Sequence, residues 1–211
     1  MKEQMPHWTP TAAAVGLVAI ALFCFGVLVD SYALRVAVKP FPVLAMIAIA
    51  LGLRRTTYAK TIAVGLGFCV LGDVFLEVGD AFFLYGMIAF LLGHVSYIVA
   101  FVGRTKKLGL AAALPFAIWI VWALVFLMPH LGEMQIPVSI YTIVIFAMMW
   151  RATSLVVSEE SPSVFDWLAM LGAFSFGVSD TLIALDKFHA PIEGVRIPII
   201  LLYWGGQALI T

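Results

Sequence analysis

The chain has 211 residues, of which 64% are hydrophobic and only 11% charged, with a mean hydropathy of +1.09. A soluble domain of this length carries about 25% charged residues, so this much apolar side chain needs lipid as its solvent. Equal numbers of basic and acidic residues give a formal net charge of zero, which leaves no basic surface for nucleic acid. Cys24 and Cys69 both sit in apolar runs and read as small core residues rather than a disulfide or metal site.

A membrane-crossing helix needs roughly 20 apolar residues, and the chain divides into eight such runs, at about 9–29, 38–53, 59–78, 82–103, 109–128, 136–156, 165–185 and 192–210. The first is too long for a signal-peptide core and shows no small-residue cleavage site, so it is read as a span. The second is short and opens at Lys39-Pro40, where proline suits the first turn of a helix. Breaks fall at Arg54-Arg55, Gly79-Asp80, Arg104 to Lys107, Pro129 to Glu133, Ser158 to Ser163 and Asp186 to Glu193. These runs are too long for barrel strands and show no alternation. The expected fold is therefore all-α, one polytopic membrane domain covering 1–211.

Lys and Arg set orientation. Lys2, Arg54, Arg55, Lys60, Arg104, Lys106, Lys107 and Arg151 fall on one side, against Arg35, Lys39, Lys187 and Arg196 on the other. The excess puts both termini in the cytoplasm. The third and seventh spans share a pattern, Gly72-Asp73 and Ser179-Asp180 within apolar surroundings. That pattern suits a parallel duplication, although apolar helices also resemble each other by chance.

Ionisable groups inside a bilayer are costly and mark function. Here they are Asp73, Glu77, His94 and Asp180, with Lys39 and Arg196 at span entrances. Asp73 and Glu77, four residues apart, share a helix face. The third and seventh spans run in one direction, so Asp73, Glu77 and Asp180 lie at similar depth. The second and eighth spans open from that side, which adds Lys39 and Arg196 to the same layer. Structural readings stand beside the functional ones. His94 can bond between helices, and Lys39 and Arg196 can be snorkelling anchors. Trp119, Trp122, Trp150 and Trp204, with Tyr141 and Tyr203, read as packing or interfacial residues. Gly65-Leu66-Gly67 lacks the strand and phosphate loop of a nucleotide motif.

Three stretches resemble the YhhN-like membrane proteins, the lysoplasmalogenase family. They are Lys39-Pro40; Leu71-Gly72-Asp73-Val74-Phe75-Leu76 through Asp80-Ala81-Phe82-Phe83 and Gly86 to Phe90-Leu91-Leu92-Gly93-His94-Val95-Ser96-Tyr97; and Gly172-Ala173-Phe174 through Ser179-Asp180 to Pro191, with Arg196 and Tyr203 following. One departure is Gly93, where alanine is more usual. The resemblance implies an eight-span bundle that hydrolyses the vinyl ether bond of lysoplasmalogens to a fatty aldehyde and a glycerophosphoethanolamine or glycerophosphocholine. It assigns the two membrane aspartates to Asp73 and Asp180, matches its Lys-Pro, His and Arg positions to Lys39, His94 and Arg196, and includes Tyr203.

Vinyl ether hydrolysis needs an acid that protonates carbon, an anion beside the resulting cation and a base for water. Paired carboxylates supply all three. The expected site thus has Asp73 and Asp180 as the acid–base pair, Glu77 tuning it and His94 orienting water or a carboxylate. Lys39, Arg196 and Tyr203 bind a lysophospholipid substrate in the membrane lipid. No cofactor is implied, and the sequence offers no His/Cys cluster for a metal. A bacterial inner membrane is the expected location. The rival reading is a proton-coupled transporter of a small or lipid-like solute, which also uses buried Asp, Glu and His. An intramembrane aspartyl protease lacks its Pro-Ala-Leu element here, and a lipid-binding scaffold is the non-catalytic alternative.

Overall fold

A computed structural model describes residues 6–53 and 56–211. Lys2, Arg54 and Arg55, three of the charges used for orientation, lie outside the described residues. The described residues are helical, with no strand among them. Among the described residues, seven helical stretches are long and apolar enough to cross a membrane. This is an integral, multi-pass, all-helical membrane protein. Lipid offers no hydrogen bonds, so each crossing must satisfy its backbone internally, which a helix does.

The chain forms two compact units, one running to Ala100 and one from Phe101 to Ile210. The first unit holds α1 (Thr9–Leu28), α2 (Tyr32–Val38), α3 (Phe41–Leu53), α4 (Thr57–Val78) and most of α5 (Phe83–Arg104). Pro10 occupies the first turn of α1. The Thr56 hydroxyl caps α4 by accepting from the Ala59 N–H at 3.2 Å. Gly79 ends α4 at φ 148°, a conformation that side chains resist. Helices α4 and α5 meet through small residues. A Cβ on Gly65 would lie 2.4 Å from the Tyr97 ring, one on Gly72 2.6 Å from Phe90, and one on Gly93 2.8 Å from Cys69 Sγ. The departure from alanine at position 93 therefore follows from the cysteine packed against it.

The second span corrects the expected boundary. It starts at Tyr32, not at 38, and Lys39-Pro40 lies inside it as the junction of α2 and α3. Proline has no N–H to give the preceding turn, yet the Leu44 N–H still bonds to the Pro40 carbonyl at 3.0 Å. The helical path resumes at once. Proline mimics a start signal and conceals the roughly two helical turns before it.

The second unit holds α6 (Ala113–Leu127), α7 (Gln135–Val157), α8 (Val164–Ala184) and α9 (Arg196–Ile210). Ser163 and Asp166 form a reciprocal capping box at the start of α8. A π-helical turn, Leu185–His189, prolongs α8. The expected eighth span is α9, apolar but only 15 residues, about 22 Å long. Helices α8 and α9 touch backbone to backbone: a Cβ on Gly172 would lie 2.5 Å from the Gly206 carbonyl oxygen. Ser175 and Ser179 donate across to the carbonyls of Leu202 and Ile199 at 2.8 and 2.9 Å. Small residues and hydroxyl bonds are how helices associate where the hydrophobic effect is absent.

Arg151, on α7, is buried and donates to the carbonyls of Thr105 and Lys107 at 2.7 and 2.9 Å, fastening the segment between α5 and α6. Arg104 reaches Asp166 at 2.6 Å. Both charges have a structural task at one end of this unit.

Candidate active site

In the first unit four buried charged side chains meet in one cluster. Asp73 and Glu77 project from one face of α4, one turn apart, and both are buried. Lys39 Nζ lies 3.1 Å from Glu77 Oε2 and 4.0 Å from Asp73 Oδ1. Arg35 Nε donates to Glu77 Oε1 at 3.1 Å, and its Nη1 to Asp30 Oδ1 at 2.9 Å. Arg35 and Lys39 are themselves four residues apart, so an i,i+4 pair of cations faces an i,i+4 pair of carboxylates. Buried charges of this kind persist only when paired. Lys39 is buried as well, with its ammonium 5.8 Å from the Phe23 ring centre.

Glu77 receives both cations, one on each oxygen, and holds Lys39 beside Asp73. A span opening at 38 would leave Arg35 in a loop; it lies instead on α2, one turn before Lys39. The four-residue spacing to Lys39 was the available signal. His94 is fully buried on α5, next to Gly93. The Tyr97 hydroxyl, one turn on, lies 3.7 Å from Cys69 Sγ.

In the second unit Asp180 is half-buried on α8, and the Tyr141 hydroxyl of α7 donates to its Oδ2 at 2.5 Å. Tyr141 was expected to pack or mark the interface; it is instead a partner of the aspartate. It lies in the first third of a helix running opposite to α8, so the depth argument that grouped the acids would have reached it. Ser179, beside Asp180, is tied to α9 through Ile199. Arg196 opens α9 and is exposed. Tyr203 is buried edge-on against Phe176, with ring centres 5.1 Å apart. The tryptophans read as packing residues include Trp119, which lies against Phe146 and Phe174. Trp150 also donates to the Gly109 carbonyl at 3.3 Å. No group of three or more His, Cys, Asp or Glu side chains suited to a metal ion occurs among the described residues.

Buried acids paired to cations in one unit, and an acid bonded to a phenol in the other, define a polytopic membrane protein with partnered acids inside its helices. Residues 34–211 match the YhhN family, and the chain belongs to it. It is 37% identical over 155 residues to the lysoplasmalogenase TMEM86A of Bos taurus, covering 72% of this chain and 64% of the bovine protein. Lysoplasmalogenases of Mycobacterium bovis and Mycobacterium tuberculosis are 33% identical over 90 residues, 42% of this chain and 32% of theirs. The chain thus spans less than two thirds of the length of these curated relatives. No solved structure matches it.

Proposed function

We propose that this chain is an ether hydrolase that cleaves the vinyl ether bond of lysoplasmalogens, releasing a fatty aldehyde and a glycerophosphoethanolamine or glycerophosphocholine. The observation that carries the reading is the buried Asp73–Lys39–Glu77–Arg35 cluster in a chain similar to the bovine lysoplasmalogenase. Asp73 and Asp180 act as the acid–base pair of one membrane domain.

The neutral carboxyl of the pair protonates the β-carbon of the vinyl ether. The ionised one stabilises the oxocarbenium ion that forms, then takes a proton from the water that adds to it. The hemiacetal collapses as its hydroxyl loses a proton and the glycerol oxygen gains one, which returns the pair to its starting state. General acid–base steps of this kind contribute about 10²–10⁴-fold each. Glu77 fixes Lys39 next to Asp73, and Tyr141 orients the Asp180 carboxylate. His94 orients water, while Arg196 and Tyr203 bind substrate. The termini face the cytoplasm of a bacterial inner membrane, in line with the Lys and Arg excess.

The test is aldehyde release by the purified chain from a lysoplasmalogen and from its saturated ether analogue. Release from the vinyl ether alone is expected. No release from either, with proteoliposome uptake that collapses with the proton gradient, would replace this reading with the transporter.

A further inference from the structure

The five charges of the first unit form an alternating line from the surface inward: Asp30, Arg35, Glu77, Lys39, Asp73. Successive separations are 2.9, 3.1, 3.1 and 4.0 Å. The Asp30 side chain is 96% exposed, whereas the other four are buried: Arg35 10%, Glu77 1%, Lys39 10% and Asp73 2%. Arg35 therefore has two unequal ionic partners, and its Nη1 also donates to the Gly26 carbonyl at 3.4 Å. Its Nε points inward to Glu77, which is buried and holds it in place. Its Nη1 points outward to Asp30, and that contact is solvated and weak.

Asp30 sits in the short turn between α1 and α2, at a left-handed φ of 48°, which carries its carboxylate back over Arg35. An incoming phosphate can take the outer edge of the guanidinium, whose fork suits phosphate geometry, without disturbing Glu77. The displaced carboxylate then lies beside the phosphate, an arrangement that is repulsive unless the ligand also brings a cation. The pair is thus complementary to a ligand with phosphate and ammonium a short distance apart, and hostile to phosphate alone.

We propose that the Arg35–Asp30 pair is the docking site for a zwitterionic lysophospholipid headgroup, with phosphate on the Arg35 guanidinium and ammonium on the Asp30 carboxylate. This rests on the hydrolase reading above and names its headgroup site. The order along the line supports it: Arg35 meets Glu77 and Asp73 lies one turn further along α4, about 6 Å, so the glycerol backbone of a lipid docked at Arg35 would run inward toward Asp73. Asp30 also lies just outside the residues that match the family, 34–211.

The experiment is a binding titration of the full chain in detergent. Saturated lysophosphatidylethanolamine, lysophosphatidate, monoacylglycerol and inorganic phosphate serve as probes. The wild type should prefer the zwitterion to lysophosphatidate by roughly tenfold. Asp30→Asn, at an exposed position, should erase that preference. Arg35→Gln should weaken both phospholipids and leave monoacylglycerol unchanged; Arg35→Lys, which keeps the ion pair to Glu77, should weaken them less. The proposal is overturned if Asp30→Asn shifts zwitterion and lysophosphatidate alike, or if inorganic phosphate binds the wild type as tightly as the lipids do. None of the probes has a vinyl ether. A chain with this binding profile that releases no aldehyde therefore keeps the headgroup site and loses the hydrolase reading.

Discussion

In the first unit Gly72 leaves room for the Phe90 ring to lie against α4, whereas in the second Ser179 reaches the Ile199 carbonyl with a hydroxyl. Each is the residue before a membrane aspartate, and each faces the next long helix in the chain. By the same spacing from the aspartate Gly65 corresponds in sequence to Gly172, and those face α5 and α9 respectively. The aspartates that follow are held differently. Asp73 lies within a line of ion pairs, while Asp180 accepts a phenol hydroxyl. Similar small-residue packing thus carries two electrostatic environments, the asymmetry that the proposed acid–base pair needs if its members are to differ in protonation.

The largest test of that comparison is catalytic. Asp73→Asn and Asp180→Asn should each lower aldehyde release about 10²–10⁴-fold while the helices stay folded by circular dichroism. Near wild-type turnover in either variant removes that aspartate from the pair. Glu77→Ala comes next, because it leaves Arg35 and Lys39 buried without their shared anion. A loss of about 3–5 kcal/mol in unfolding free energy is expected, read by denaturant titration in one detergent. Gly172→Ala and Gly206→Ala should cost about 1–3 kcal/mol, more than Gly65→Ala. In the former a backbone oxygen must move, and in the latter a tyrosine ring. Equal losses would mean that the two crossings are equally tolerant. Tyr141→Phe should cost about 1–2 kcal/mol of stability or a roughly tenfold slower turnover. Less effect on turnover than on stability would make Tyr141 a packing residue after all. Gly67→Ala meets nothing within 4 Å and should be neutral or stabilising by up to about 1 kcal/mol.

The membrane class, the runs and their order were legible because a crossing is a local property. Lipid demands about 20 apolar residues in sequence, and seven stretches meet that demand. The costly polar residues were legible for the same reason, and so was the shared face of Asp73 and Glu77. The start of the second span was not. Pro40 is a valid start signal and an equally valid interior residue, and only the helix packed beside it distinguishes the two.

Sequence alone therefore determined that this chain spans a membrane as helices and which side chains are too polar to sit there idle. Tertiary structure decided their partners: Arg35 and Lys39 sharing Glu77, Asp30 closing over Arg35, and Tyr141 on Asp180. Those pairings join residues from 5 to 42 positions apart, and they depend on which helix faces touch. Spacing along one helix limits that choice, but close packing at small residues makes it.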